Sequence, residues 1–300
     1  MTVERLAELT ARLGRAGDLD ALVSCALAGL DTIFGYEHSM LLLLDADGER
    51  LFTIGSRGYD QQGVGSEVRT GEGIVGMCAL RATPMRIGNL RQMLRYSRTI
   101  RTELEATGVT TDREVPLPGL ADAGSQLAVP AMVLGQLVGV VAVESERPIA
   151  FSDDDEALLS VIASIVGAAV EVDNERERTA DAAPLAAAPV SSATRTTKVR
   201  FFAVDGSTFL DGDYLIKGVA GRLLWALLNH HERDGRTTFT NRELRLDPSL
   251  ELPELRDNFE SRLILLKRRL DEREAPVRIV KTGRGAFRLD VETALQLDAA

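Results

Sequence analysis

The chain has 300 residues, 45% of them hydrophobic, and a formal net charge of −10 at pH 7, enough apolar material for one large or two ordinary cores. No apolar run reaches the ~20 residues of a membrane-spanning helix, and the acidic, amphipathic start Met1 to Arg12 lacks the layout of an export signal; a soluble cytoplasmic protein with no membrane partner is expected. The two cysteines, Cys25 and Cys78, lie outside any CxxC or Cys/His cluster, so neither a disulfide framework nor a structural zinc site is indicated.

In chain order, Leu6, Leu9 and Leu13 recur at helical spacing, and Asp18 is placed to cap a second helical pattern through Leu22, Val23, Ala26, Leu27, Leu30 and Ile33, which Gly35 ends. "HSMLLLLDADGERLFTIGSRG" reads as two strands around an Asp47-Gly48 turn. "RTGEGIVG" then sets Gly71, Gly73 and Gly76 in the G-x-G-x-x-G spacing of dinucleotide sites. That motif needs a helix of useful length behind it and an acidic residue ~20 positions on. Here the next segment reaches only Ala82 before Thr83-Pro84, and the acid after Glu72 is Glu103. The glycines are therefore read as a tight turn into a short helix.

From Ile87 to Gly124 the pattern is irregular apart from "LRQMLRYSRTIRTELEA", a candidate lid. Arg91, Arg95, Arg98 and Arg101 recur on one side of it; they either draw an anionic ligand or form a solvated helix face. "SQLAVPAMVLGQLVGVVAVES" supplies two more strands, and Ser152 with Asp155 caps a long helix. On that helix Leu158, Ile162, Ile165, Ala169 and Val172 follow coiled-coil spacing, while Leu159, Ala163, Val166 and Val170 repeat it on an adjacent stripe. The first stripe predicts a parallel homodimer and the second predicts packing on the chain's own sheet. A single broad stripe facing one core is the alternative. Helices around antiparallel strands give an α+β layered fold.

The ordered segments "GEGIVGMCALRATPMRI", "LAVPAMVLGQLVGVVAVES" and "FSDDDEALLSVIASIVGAAVE" resemble a GAF domain over about residues 16–172. The resemblance implies an antiparallel sheet flanked by helices, with a small ligand held between the sheet and the segment Ile87 to Gly124. Its pocket candidates are His38, Met40, Arg57, Met77, Cys78, Arg91 and Arg95. His38 reads either as a haem or metal ligand or as a structural residue, and Cys78 either as a redox or metal ligand or as a small buried hydrophobe. The Asn-Lys-Phe-Asp-Glu pattern of cyclic-nucleotide GAF domains is absent, and no cysteine sits where a bilin is attached. No metal or cofactor is named; the domain either binds a small molecule or serves only to dimerise.

Thr179 to Thr197, "TADAAPLAAAPVSSATRTT", has almost no large apolar side chains and reads as a flexible linker. Charge changes across it. Residues 1–197 carry 17 Arg and no Lys against 28 acids, whereas residues 198–300 carry 18 basic against 17 acidic residues, which suggests two domains with different partners. Downstream come a small antiparallel sheet with turns at Asp205-Gly206 and Asp211-Gly212, a helix over Val219 to Asn229, a capping box at Thr240 and Glu243, a helix from about Pro253 to Arg273, and a hairpin at Gly283-Arg284-Gly285. "FTNRELR", "RLILLKRRLDE" and "VRIVKTGRGAFRLD" resemble the OmpR-like winged-helix domain over about 198–291. By that resemblance Asn258, Ser261, Arg262 and Leu265 face DNA bases, while Arg256, Arg268, Lys281 and Arg284 lie nearer phosphate. Ile264 and Leu265 stand as an exposed apolar pair where the family shows polar residues, and Asp257 and Glu260 oppose phosphate.

The expected organisation is a GAF sensor with terminal dimerisation helices over 1–178, a linker over 179–197, a winged helix over 198–291 and a tail over 292–300. The expected function is a non-catalytic, ligand-responsive transcriptional regulator with DNA as partner. A scaffold acting through protein contacts is the alternative. His230-His231 and "SDDDE" form no nucleophile–base arrangement.

Overall fold

Asp18 opens the first extensively buried helix: its carboxylate accepts the Ala21 N–H at 2.8 Å, satisfying a donor that has no intrahelical partner. In a computed structural model the described residues are 2–90, 115–179, 196–250, 259–283 and 285–300. They belong to two units, Met1–Glu171 and Val172–Ala300.

In the first unit, α1 (Thr2–Leu13) lays Leu9 against Gly29 of α2 (Leu19–Phe34). Gly35, at φ +77°, ends α2. Six strands follow: β1 (His38–Leu44), β2 (Arg50–Arg57), β3 (Glu67–Arg69), β4 (Met85–Ile87), β5 (Ser125–Val133) and β6 (Gln136–Ser145). They form one sheet in the order β3-β2-β1-β6-β5-β4, with every neighbouring pair antiparallel. The even-numbered side chains of β1, β5 and β6 meet α3 (Gly73–Arg81). On the other face, Gly167 of α4 (Asp153–Thr179) sits over Ala131 and Val133, and Asp31 of α2 binds Arg57 at 2.8 Å. Cover on both faces explains why β1, β5 and β6 are apolar at nearly every position instead of alternating.

The glycines of "RTGEGIVG" have a structural explanation. A Cβ on Gly76 would lie 2.2 Å from the Arg69 carbonyl oxygen, and the Gly71 N–H donates to the Gly76 carbonyl at 2.7 Å. The preceding strand, β3, is an edge strand of an antiparallel sheet, so the parallel crevice that receives a dinucleotide is not formed here. Ser152 and Asp155 cap α4 reciprocally, as their spacing predicts.

The second unit begins with β7 (Thr196–Phe202), β8 (Ser207–Leu210) and β9 (Asp213–Ile216), then α5 (Gly218–Asp234), β10 (Thr238–Thr240), α6 (Asn241–Arg245), α7 (Phe259–Glu272), β11 (Val277–Gly283), β12 (Ala286–Val291) and β13 (Ala294–Ala299). Leu223, Leu224, Leu227 and Leu228 of α5 are buried, as are Phe259, Leu263, Leu266 and Leu270 of α7. Thr240 and Glu243 complete the expected capping box at α6. Two boundaries differ from the sequence reading. Thr196 and Thr197 belong to β7 and not to a linker, and the expected tail contains β13, which pairs in parallel with β7 in the order β13-β7-β8-β9. The alternating "ALQLDA" of β13 places Leu295 and Leu297 half-buried, the period of a sheet edge with one covered face. Among the described residues, no helix is long and apolar enough to cross a membrane.

Candidate functional site

The α3 face of the six-stranded sheet is apolar at its centre and polar at one end. Met40, Leu42, Val140, Ala142 and Ala128 meet Val75, Cys78 and Ala79 of α3, with Tyr59 packed alongside. One rung further along β1, β6 and β5, the residues in register are His38, Glu144 and Gln126. Strand alternation puts the Glu144 side chain on the same face as Ala142 and Val140.

Glu144 is buried, at 7% exposure. Its Oε1 accepts the Gln126 side-chain amide at 3.0 Å and its Oε2 accepts the Leu120 backbone N–H at 2.9 Å. Burial raises its pKa above the usual carboxylate range, while the Leu120 N–H and the Tyr59 hydroxyl pull the other way. The Tyr59 hydroxyl is buried without a hydrogen bond of good geometry. Burial and the neighbouring Glu144 charge push its own pKa far upward, and its ring meets His38 edge-on at 5.5 Å between centroids. No basic side chain among the described residues forms an ion pair with Glu144.

Of the expected pocket residues, the structure brings His38, Met40 and Cys78 to this face. Met40 and Cys78 are fully buried, and burial pushes the Cys78 thiol up to about 12, so it is protonated near neutral pH and fits the role of a small hydrophobe. Arg57 does not belong to the face: strand alternation turns it to the opposite side, where it pairs with Asp31. Met77 is half-buried on α3 outside the apolar cluster. Arg91 and Arg95 lie outside the described residues. Glu144, Gln126 and Tyr59 went unnoticed in the sequence. The available signal was a carboxylate at the inward register of an otherwise apolar strand, "LVGVVAVES".

On α4, two residues of the expected dimer seam are committed elsewhere. Leu158 and Ile162 are buried together with Leu159, Ala163, Val166 and Val170, so one broad stripe covers the unit's own core. Ile165 and Ala169 are half-buried, whereas Val172 is 48% and Val161 43% exposed. Val161, Ile165, Ala168 and Val172 leave a second stripe at the same alternating spacing, which shares Ile165 and Val172 with the expected seam.

In the second unit, Arg256, Asn258 and Arg284 lie outside the described residues. Ser261 and Leu265 are buried, at 1% and 4% exposure, and so is Ile264. The expectation that Ser261 and Leu265 face bases, and that Ile264 and Leu265 form an exposed pair, is corrected: three adjacent stripes of α7 are covered, not one. Arg262 and Arg268 are half-buried. Glu260 does not face outward either. It accepts the Asn241 side-chain amide at 2.8 Å and takes the Lys281 ammonium, so Lys281 is engaged within the unit. Among the described residues no group of three His, Cys, Asp or Glu side chains is arranged to hold a metal ion.

The sequence matches the family description "GAF domain" over residues 16–171, just over half of the chain. Among solved structures, it is similar to the GAF domain of an Acinetobacter phosphoenolpyruvate-protein phosphotransferase, with 19% identity, 60% of this chain and 97% of that chain covered, and a TM-score of 0.48. The corresponding Coxiella burnetii domain gives 17%, 59%, 96% and 0.47. Free methionine-R-sulfoxide reductase from Neisseria meningitidis, solved with its substrate, gives 18%, 57%, 89% and 0.44. A search of curated proteins found no match. The antiparallel sheet between α2, α4 and α3, and the family match that spans it, make the chain a member of the GAF domain family.

Proposed function

We propose that the protein is a cytoplasmic, non-catalytic transcriptional regulator in which the GAF unit senses a small molecule and the Val172–Ala300 unit binds DNA as a winged helix. The observation that carries the DNA reading is the order of elements: a small sheet, then α5, α6 and α7, then the hairpin β11–β12, with Arg262, Lys267 and Arg268 partly exposed on α7 and Arg278 exposed on β11. Basic side chains on a helix followed by a hairpin suit phosphate contact in adjoining grooves. A homodimer through Val161, Ile165, Ala168 and Val172 would pair two such units and match a twofold DNA site. Cys78 is fully buried in the apolar cluster, which fits a packing role for this thiol.

A second reading, a scaffold acting through protein contacts, draws on the burial of Ser261 and Leu265, which removes two of the groups assigned to base edges. Incubating the full chain with fragmented genomic DNA and sequencing what is retained separates the two. Enriched, salt-sensitive sites support the regulator; retention of no DNA at low salt, with and without ligand, supports the scaffold.

A further inference from the structure

Among the described residues, Ile149 is the one β-branched side chain on a left-handed backbone, at φ +53°. A branched Cβ crowds its own backbone in that conformation, and Ile149 is 79% exposed, so core packing does not offset the crowding. It lies in the turn between β6 and α4, and bonds to the facing strand ends hold it there. Its N–H donates to the carbonyl of Gly88, just beyond β4, at 2.7 Å. At the start of β5, the Ser125 hydroxyl donates to the Arg147 carbonyl at 2.7 Å and accepts the Ala150 N–H at 3.3 Å, gripping the turn on either side of Ile149. The Gly124 N–H donates to the Ser145 carbonyl at 2.8 Å, and a Cβ on Gly124 would lie 2.3 Å from the Glu146 carbonyl oxygen, so backbone meets backbone directly. The two strand ends are tied to each other by the Leu90 N–H, which donates to the Gly124 carbonyl at 2.8 Å. Arg86 of β4 completes the attachment: it binds Asp153 and lies 3.8 Å from Glu156, both in the first turn of α4.

We infer that this turn is a strained joint with two positions: the ends of β4 and β5 hold Ile149 left-handed, and their displacement lets it relax and loosens the first turn of α4. A conformation of this kind persists only where the surrounding bonds over-determine it. Here those bonds come from the two points at which the chain leaves the sheet after β4 and returns to it at β5. Moving either point breaks the Gly88 or the Ser125 bonds, and Ile149 then gains by rotating roughly 110° to ordinary negative φ. That rotation redirects the chain a few residues ahead of Asp153, where α4 begins. The crowding at Ile149 offsets part of the cost of opening, so a modest difference in affinity for the two positions is enough to choose between them. The inference goes beyond ligand sensing. It puts a movable joint at the base of the helix that bears Val161, Ile165, Ala168 and Val172, and it depends on no particular ligand.

The test is amide hydrogen exchange of the full chain, read at Ala150 in the turn and at Glu156, whose N–H donates to the Ser152 carbonyl at 3.1 Å, for wild type, Ile149→Val and Ile149→Asn. Asparagine tolerates a left-handed backbone, so Ile149→Asn should favour the held position and slow exchange at both amides about threefold to tenfold. Ile149→Val keeps the branch and should match wild type. The side chain is exposed, so both variants should keep the wild-type circular dichroism spectrum. Unchanged or faster exchange at Ala150 in Ile149→Asn overturns the joint, because opening then relieves nothing. Slowing at Ala150 with no change at Glu156 overturns the connection to α4. Either of these results leaves the ligand-sensing reading standing.

Discussion

Lys281 of β11 places its ammonium on the Glu260 carboxylate of α7, which also accepts the Asn241 side-chain amide at 2.8 Å from the start of α6. Three elements of the second unit therefore meet at one buried anion.

Lys281→Ala leaves Glu260 buried without its counter-ion, and a loss of about 2–4 kcal/mol in the stability of this unit is expected. Urea unfolding followed through Trp225, the single tryptophan, measures it. The salt dependence of DNA binding should hardly change, whereas Arg268→Ala should reduce the slope by about one unit. An unchanged melt combined with a reduced slope for Lys281→Ala would instead place this side chain on phosphate.

The exposed stripe of α4 sets a second expectation. Val161→Glu with Val172→Glu alters two residues that are 43% and 48% exposed, so the fold should survive while a dimer dissociates. Ile162→Ala, at 0% exposure, should cost about 2–5 kcal/mol of stability through a cavity in the unit's own core, with little effect on assembly. Sedimentation velocity at micromolar concentration distinguishes these effects. A wild-type monomer there removes the dimer from the scheme.

Glu144 makes stability depend on pH in the direction opposite to a salt-bridged carboxylate. Its pKa is raised in the folded chain, so the native state holds this proton where the unfolded chain, with a glutamate near about 4.3, has released it. Stability is therefore lost as pH rises from that value through the folded pKa, and restored as pH falls. Among the described residues, the titratable groups facing it are Tyr59 and His38. Subtracting the curve of Glu144→Gln from that of wild type isolates the contribution of this carboxyl, and thermal melts between pH 4 and 8 should leave a difference that declines with rising pH. A flat difference curve would contradict this assignment.

Gly76→Ala tests the reading of the glycine motif. Its Cβ would meet the Arg69 carbonyl at 2.2 Å, a backbone atom with little room to retreat, so a cost of about 1–3 kcal/mol is expected. Calorimetric unfolding measures the cost. Titration with NAD should give no binding to either wild type or variant.

The strands and helices of the first unit were legible because its signals are local. Asp-Gly turns, Asp18 and the Ser152–Asp155 pair fix ends, and apolar runs bounded by such turns read as strands covered on both faces. What depends on register was not legible. Arg57 lies one residue from Ser56, and the alternation of β2 decides which face each reaches. The dimer stripe was displaced for a related reason: α4 buries a band wider than one heptad seam, and sequence spacing does not give the width of the surface that a helix must cover. Ser261 and Leu265 were read through a resemblance in which that side of the helix is open, whereas here both are buried. β13 was missed because its two half-buried leucines are too few to mark a strand without the partner that pairs with it.

That partner has a mechanical consequence. β7 is an interior strand, laddered to β13 on one side and to β8 on the other, and it is also where the chain enters the second unit's sheet. Tension arriving at Thr196 along the strand loads both ladders in shear, so many rungs resist together and the strand cannot be peeled away one bond at a time. Twist delivered there reaches the middle of the sheet, and through the stacking of Phe201 on Trp225 at 5.0 Å it reaches α5. An edge strand in that position would fray under load before it moved a helix; held on both sides, β7 is a firm point of attachment for the chain that enters this sheet.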